Sequence, residues 1–246
     1  MSGAGMRTLL GAVTLLALAV GASPTMAQVG SGVYFRLDAG AGFSTNTTFK
    51  DSDPFASVVT LGSLTYSGDA GISAVASAGI GVRLSPIFRI DLTGSYMPWL
   101  RFSGQDNLGG TTIATARIKP RVGLVNGYVD LGGLARLPLS SAQPYLVGSI
   151  GASRNQLDTI DFRTPGGPSF ATVDGRTTTQ LAWGVGAGIG IPLGRFVTFD
   201  LMYKYLDLGK LESSNLVTVG GATVQGTAIT ANLHVHTVTV GMRFGF

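Results

Sequence analysis

Two histidines sit two residues apart in "HVH" (His234 and His236), and they are the only histidines in the chain. On a strand, residues two apart share a face, so the pair could ligate a metal. A structural or catalytic metal needs further ligands. The chain has no cysteine, and the sequence places no carboxylate nearby. The pair also lies beyond the apolar run of the last strand, so it reads as an exposed rim pair. In "DTID" (158–161) two carboxylates could touch a cation, but the polar surroundings read as a solvated loop. The glycines of "GVGAGIG" (184–190) fall on every second residue, hence on one strand face and not in the strand-to-helix turn that cradles phosphate. They read as room for larger side chains. Serines are plentiful, yet no His–Ser–acid spacing stands out for nucleophilic catalysis. No catalytic residue, cofactor or metal is expected.

A second set of reactive groups is larger. Arg36, Asp38, Arg83, Arg89, Asp91, Asp130, Asp200, Lys204 and Arg243 all fall on the polar parity of alternating segments. Mixed signs on one face can pair with one another if that face is enclosed. The elements that carry them must therefore be strands, and the question becomes which face is inside.

The alternation recurs along the chain. It predicts strands over "VYFRLDAGAGF" (33–43), Ile72 to Leu84, Ile87 to about Leu100, Arg117 to Gly132, Pro144 to about Asn155, "LAWGVGAGIGI" (181–191), Phe196 to about Leu208, and about Ala231 to Phe246. In the fourth segment the parity slips near Gly123 to Val125, which reads as a bulge. "LSPI", "ARLPLSSAQ" and "PLGR" are short turns. Residues 44–70, 102–116, 157–176 and 209–230 are long and polar. Within the last of these, "LVTVGGATVQG" predicts a hairpin with a Gly-Gly turn, a strand extension above the main array. A ten-stranded count is the alternative to eight.

Composition decides which face is inside. Only 12% of residues are charged, against roughly 25% in soluble domains. Glu212 is the single glutamate, and mean hydropathy is +0.35. A soluble barrel would need a charged outer surface. An Arg or Lys facing lipid costs roughly 2–4 kcal/mol at the midplane, so the charged face points inward and the apolar face outward. No apolar run after Ala27 reaches the ~20 residues of a spanning helix. Open sheets cannot satisfy their edges in lipid. The fold expected is all-β, a transmembrane antiparallel up-and-down barrel of eight strands. Residues 1–27 read as a signal peptide, with Arg7 before "TLLGAVTLLALAV" and a cleavage point after Ala27; residues 28–246 read as the barrel. Outward aromatics predict two interfacial girdles. Phe88, Phe199, Phe244 and Phe246 lie on the short-turn side, with Phe43, Tyr96, Trp183, Tyr203 and Tyr205 on the long-loop side. With a net charge of +4 and few lysines, a nucleic-acid partner is not expected.

"NGYVDLGG", "QPYLVGSIGAS", "LAWGVGAGIGIPLG" and "FVTFDLMYKYLDLGKL" resemble the opacity-type or OmpA-like eight-stranded outer-membrane barrels, often called porin-family outer membrane proteins. The resemblance implies the bacterial outer membrane as location. It also implies that the closing strand, through Phe244 and Phe246, signals to the barrel assembly machinery. The partners expected are outer-membrane lipid and lipopolysaccharide, that machinery, and host or environmental ligands met by the loops, with the chain monomeric. Members include antigens, adhesins, structural proteins and weak pores. The reading is a structural and surface-interaction protein whose lumen is plugged by charged side chains. A narrow passive porin is the alternative, and a lipid-modifying envelope enzyme is a third class.

Overall fold

The structure, a computed structural model, describes residues 32–44, 47–51, 65–107, 109, 111–136, 138 and 142–245. The signal-peptide assignment and Phe246 lie outside the described residues. In chain order the strands begin with β1 (Val33–Phe43), β2 (Thr47–Asp51), β3 (Thr65–Asp69), β4 (Ile72–Arg83), β5 (Phe88–Tyr96), β6 (Leu100–Asp106) and β7 (Ile113–Asp130). A helical turn, α1 (Leu131–Leu134), follows. The chain continues with β8 (Gln143–Leu157), β9 (Ile160–Arg163), β10 (Ser169–Val173), β11 (Thr177–Pro192), β12 (Val197–Glu212), β13 (Leu216–Val219), β14 (Ala222–Gln225) and β15 (Ile229–Gly245).

Eight of these close a ring. β1 pairs with β4, β4 with β5, β5 with β7, β7 with β8, β8 with β11, β11 with β12, β12 with β15, and β15 returns to β1. Every pairing is antiparallel, so no edge in the ring is left open to lipid. The count is eight, not ten. The turns β4–β5 and β11–β12 are tight: Leu84 N–H donates to the Phe88 carbonyl at 2.9 Å, and Leu193 N–H to the Val197 carbonyl at 2.9 Å.

The long-loop end is built of strand, not coil. Where β1, β4 and β5 stop, β2, β3 and β6 continue the wall between β15 and β7, with Ile229 opposite Asp51, Phe49 opposite Tyr66, Tyr66 opposite Asp106, and Phe102 opposite Ala116. β6 and the first residues of β7 occupy much of the segment 102–116 that the sequence presents as a loop. A second group, β9, β10, β13 and β14, forms a sheet leading away from β7. The expected Gly-Gly hairpin joins β13 to β14. Gly220 and Gly221 have φ of 59° and 86°, which a primed two-residue turn requires and a side chain resists.

The bulge expected near Gly123–Val125 is absent. β7 keeps register with both β5 and β8 through these residues, and burial alternates without a slip. What changes there is polarity. Toward the long-loop end β7 points Ala114, Ala116, Ile118, Val122 and Leu124 inward and Arg117, Lys119 and Arg121 outward. Toward the short-turn end it points Asn126, Tyr128 and Asp130 inward and Val125, Gly127 and Val129 outward. The first half solves the problem of a wall between water and an apolar core. The second solves that of a wall between lipid and a polar lumen. A parity read by hydropathy inverts at that boundary and mimics an inserted residue.

The same inversion occurs on neighbouring strands. On β12, Asp200 and Lys204 are buried below, and Leu206, Leu208 and Leu211 above; on β15, Thr237, Thr239 and Arg243 are buried below, and Leu233, Val235 and Ile229 above. The upper interior is one apolar cluster that includes Phe49, Leu100, Phe102, Ile118, Leu157 and Leu233. At ~1.5–3 kcal/mol for each large side chain fully buried, this cluster is a main source of stability outside the membrane.

Candidate functional site: the filled interior and the outer rim

The lower lumen collects the charges that the sequence set on one parity. Arg36 grips Asp38 with two donors, Nε to Oδ2 at 2.9 Å and Nη2 to Oδ1 at 2.8 Å, and its Nη1 reaches Asp91 Oδ2 at 3.2 Å and the Tyr128 hydroxyl at 2.6 Å. Tyr34 donates to the same Asp91 oxygen at 3.1 Å. Arg89 holds Asp130, with Nε to Oδ2 at 2.8 Å and Nη2 to Oδ1 at 2.8 Å, and its guanidinium lies over the rings of Tyr128 and Tyr145 at 4.4 and 4.9 Å. Arg243 pairs with Asp200 from the adjacent strand. The bidentate contacts of Arg36 with Asp38 and of Arg89 with Asp130 are strong and fix geometry. Arg36 and Arg89 are 1% and 2% exposed, so each relies on these partners to offset its desolvation.

Adjacency of the strands brings Asp200 to Arg243, and Lys204 pairs elsewhere. Its Nζ donates to Asn126 Oδ1 at 2.9 Å, which also accepts from the Ser149 hydroxyl at 2.6 Å. Asn126 in turn donates through Nδ2 to Asp91 Oδ1 at 2.6 Å and to Thr93 at 2.9 Å. The apparent slip at Gly123–Val125 blurs which face Asn126 and Tyr128 of β7 occupy, and Ser149 of β8 carries no charge to mark it. Arg83 stands at the short-turn mouth, exposed and outside any ion pair among the described residues. Inward glycines make the room expected of them. A Cβ on Gly188 would come within 2.5 Å of Tyr145 Cζ, and one on Gly81 within 2.5 Å of Tyr34 Cζ.

The histidine pair is outside the lumen. His236 Nδ1 lies 2.7 Å from the Tyr203 hydroxyl, and His234 Nδ1 2.9 Å from the Tyr205 hydroxyl. His236 stacks on Phe43 with centroids 5.4 Å apart, and His234 stacks on Tyr205 at 6.0 Å. Asp207 is 3.7 Å from His234, but no group of three metal-ligating side chains forms among the described residues. The histidines therefore join Phe43, Tyr203, Tyr205 and Trp183 in an outward aromatic belt on the long-loop side. Tyr96 and Trp99 also face out, at 39% and 56% exposure; Trp99 was overlooked in the sequence. On the short-turn side Phe88 faces out, and Phe199 and Phe244 are half-buried on the outward parity. In "DTID", Asp158 accepts from Lys119 Nζ at 2.7 Å and Asp161 from the Ser169 hydroxyl at 3.0 Å.

A closed antiparallel ring with aromatics at both ends of an apolar outer band matches a known family model, the outer membrane protein beta-barrel domain, over residues 13–246. The chain belongs to that family. It is a protein of the bacterial outer membrane, with the short turns on the periplasmic side and the long-loop end extracellular. A Rickettsia bellii protein named "Putative adhesin" is 27% identical over 220 residues, covering 86% of each chain. Among solved structures, outer membrane protein OprG of Pseudomonas aeruginosa is similar with a TM-score of 0.51 at 13% identity, over 88% of this chain and 98% of that one. The Neisserial surface protein NspA aligns over 89% of this chain and 100% of its own, with 17% identity and a TM-score of 0.47.

Proposed function

We propose that this barrel is a closed membrane anchor for an extracellular contact surface, neither a pore nor an enzyme. The observation that carries the reading is that the interior is filled at two levels by different chemistry. Below, paired charges and tyrosines occupy the lumen. Above, an apolar cluster closes the extracellular half. An ion crossing the barrel would have to break buried ion pairs and then enter a hydrocarbon-like core, and each step opposes conduction. Eight strands leave an interior that side chains can fill.

What remains for function is the outside of the extracellular half. The sheet of β9, β10, β13 and β14 exposes Phe170, Leu216, Val219 and Val224 to water, at 48, 37, 51 and 55%. Exposed apolar residues grouped on one structural element mark contact surfaces. The adhesin-named relative supports surface attachment to host or environmental ligands as the role. The last strand, with outward Phe244, is read as the contact for the barrel assembly machinery, and the folded barrel as a monomer bathed in outer-membrane lipid and lipopolysaccharide.

Two measurements test the reading together. In planar bilayers the purified barrel should show no steady conductance. Cells displaying it should bind a matrix-coated surface more than cells displaying a Phe170→Ser, Val224→Ser variant with equal barrel content. Steady channel openings would replace the closed anchor with a narrow pore, and equal attachment of the two cell types would remove the contact surface.

A further inference from the structure

The outer wall carries a cationic cluster with too few acids to balance it. On β7, Arg117, Lys119 and Arg121 face outward in succession. Arg121 is the direct cross-strand partner of Arg154 on β8, and Arg117 that of Arg101 on β6. Like charges directly opposite one another on a sheet are destabilising. The acids on this wall are Asp158, which Lys119 takes, and Asp69 and Asp161, which lie in the next row away from the membrane, opposite Ser103 and Thr115. Arg101, Arg117, Arg121 and Arg154 have no ion pair among the described residues. Arg121 instead lies over the Tyr96 ring at 5.6 Å.

Directly beneath Arg121 and Arg154, on the membrane side, the wall is hollowed. A groove of about 830 Å³ runs across β4, β5, β7 and β8. Its floor is the outward row Ala78, Gly94, Gly123 and Ala152, each opposite the next in register. Packing does not require the two glycines, since a Cβ on either would meet nothing within 4 Å. The next row toward the periplasm, Leu92, Val125 and Ile150, is apolar and exposed. Glycine inside a strand weakens it unless something approaches the backbone closely.

We propose that this wall binds a phosphorylated, acylated lipid of the outer leaflet, with its phosphates between Arg121, Arg154 and the Arg101–Arg117 pair and one acyl chain lying in the Ala78–Gly94–Gly123–Ala152 groove. The charge identifies the headgroup: with Asp158 taken by Lys119, the guanidiniums of Arg121 and Arg154 and of the Arg101–Arg117 pair fit more than one phosphate, which arginine binds by paired donors. The position identifies the tail, because the groove opens to hydrocarbon immediately below the cations. The bound phosphate removes the like-charge conflict across β7, and the chain covers the bare backbone at Gly94 and Gly123.

The test is retention of lipid by the full-length barrel, purified from outer membranes in mild detergent and weighed by native mass spectrometry. Bis-phosphorylated lipid A is the added probe, and its dephosphorylated form and inorganic phosphate are the comparisons. Wild type should retain lipid A and neither comparison. Arg121→Gln with Arg154→Gln should lower retention by about tenfold, the loss of at least one charge-assisted contact. Gly123→Phe leaves the charge intact and should also lower retention, by filling the groove. Arg195→Gln, at the periplasmic turn, should leave it unchanged. Each variant is checked for a folded barrel by its gel mobility before and after heating, and only folded material is scored. Equal retention by wild type and the double arginine variant would overturn the proposal. So would equal retention of the dephosphorylated lipid, or full retention by Gly123→Phe.

Discussion

Asn126 stands between Lys204 and Asp91, accepting from the ammonium at 2.9 Å and donating to the carboxylate at 2.6 Å. A neutral amide thus relays two opposite charges that do not touch. Its two ends are chemically distinct, so it satisfies both partners at once. Replacing Asn126 with Leu strips Lys204 of this acceptor and Asp91 of one donor in a buried site, where each unsatisfied polar group costs about 1–3 kcal/mol and charged groups more. The folded fraction in a urea titration in detergent should fall accordingly. Asn126→Asp keeps an acceptor for Lys204 but sets a second carboxylate against Asp91, so it should also be less stable than wild type at neutral pH. A leucine variant as stable as wild type would show that the relay carries no weight.

The Arg243–Asp200 pair makes the same argument from two strands. Asp200→Ala alone leaves a buried guanidinium uncompensated, a change that typically costs about 3–5 kcal/mol. Adding Arg243→Leu removes the stranded charge and should regain much of that stability. Denaturant midpoints of the two single variants and the double variant decide it. A double variant no better than the sum of the singles would mean that the two residues act independently.

Lipid exposure sets a third expectation. Val185 points out of the apolar band and Gln105 out of the extracellular wall, both exposed. Val185→Arg should destabilise the barrel in lipid by roughly 2–4 kcal/mol if it lies near the midplane, and less toward the interface. Gln105→Arg, on a surface that already carries cations, should shift the midpoint little. Equal midpoints in lipid vesicles would contradict the assignment of faces.

Alkaline pH probes the extracellular half. Burial pushes the Tyr66 phenol up to about 12, with the Asp106 and Asp51 carboxylates adding to the shift. The ring also packs on Phe162 with centroids 5.1 Å apart. In the unfolded chain a tyrosine ionises near 10. The folded form therefore keeps its proton between those values, so this contribution to stability is full below pH ~10 and lost as pH rises toward 12. Tyrosinate absorbance in the wild type minus that of Tyr66→Phe should show a late-titrating phenol, and the phenylalanine variant should lose less stability over that window. A Tyr66 signal centred at the ordinary value would refute the buried placement.

The sequence by itself determined the membrane segments. Between Arg36 and Gly42, or between Gly184 and Gly190, one parity is apolar and the other charged or glycine. Lipid and a closed lumen are the two environments that make such an alternation stable over a whole strand. The eight ring strands, the inward charges and the outward aromatics were legible for that reason. The extracellular half was not. There water is outside and the core inside, so Leu206, Leu208 and Leu233 take the parity that Lys204 and Thr237 take below. A single hydropathy rule misreads the crossing as a bulge at Gly123–Val125. Most of the partners within the lumen were also beyond the sequence. Parity places Lys204 and Asp200 on one face of one strand, but register and strand order decide that Asp200 meets Arg243 while Lys204 reaches Asn126, 78 residues away. Which charges meet is a property of the closed ring, because barrel closure sets the distance between side chains on strands that are remote in sequence.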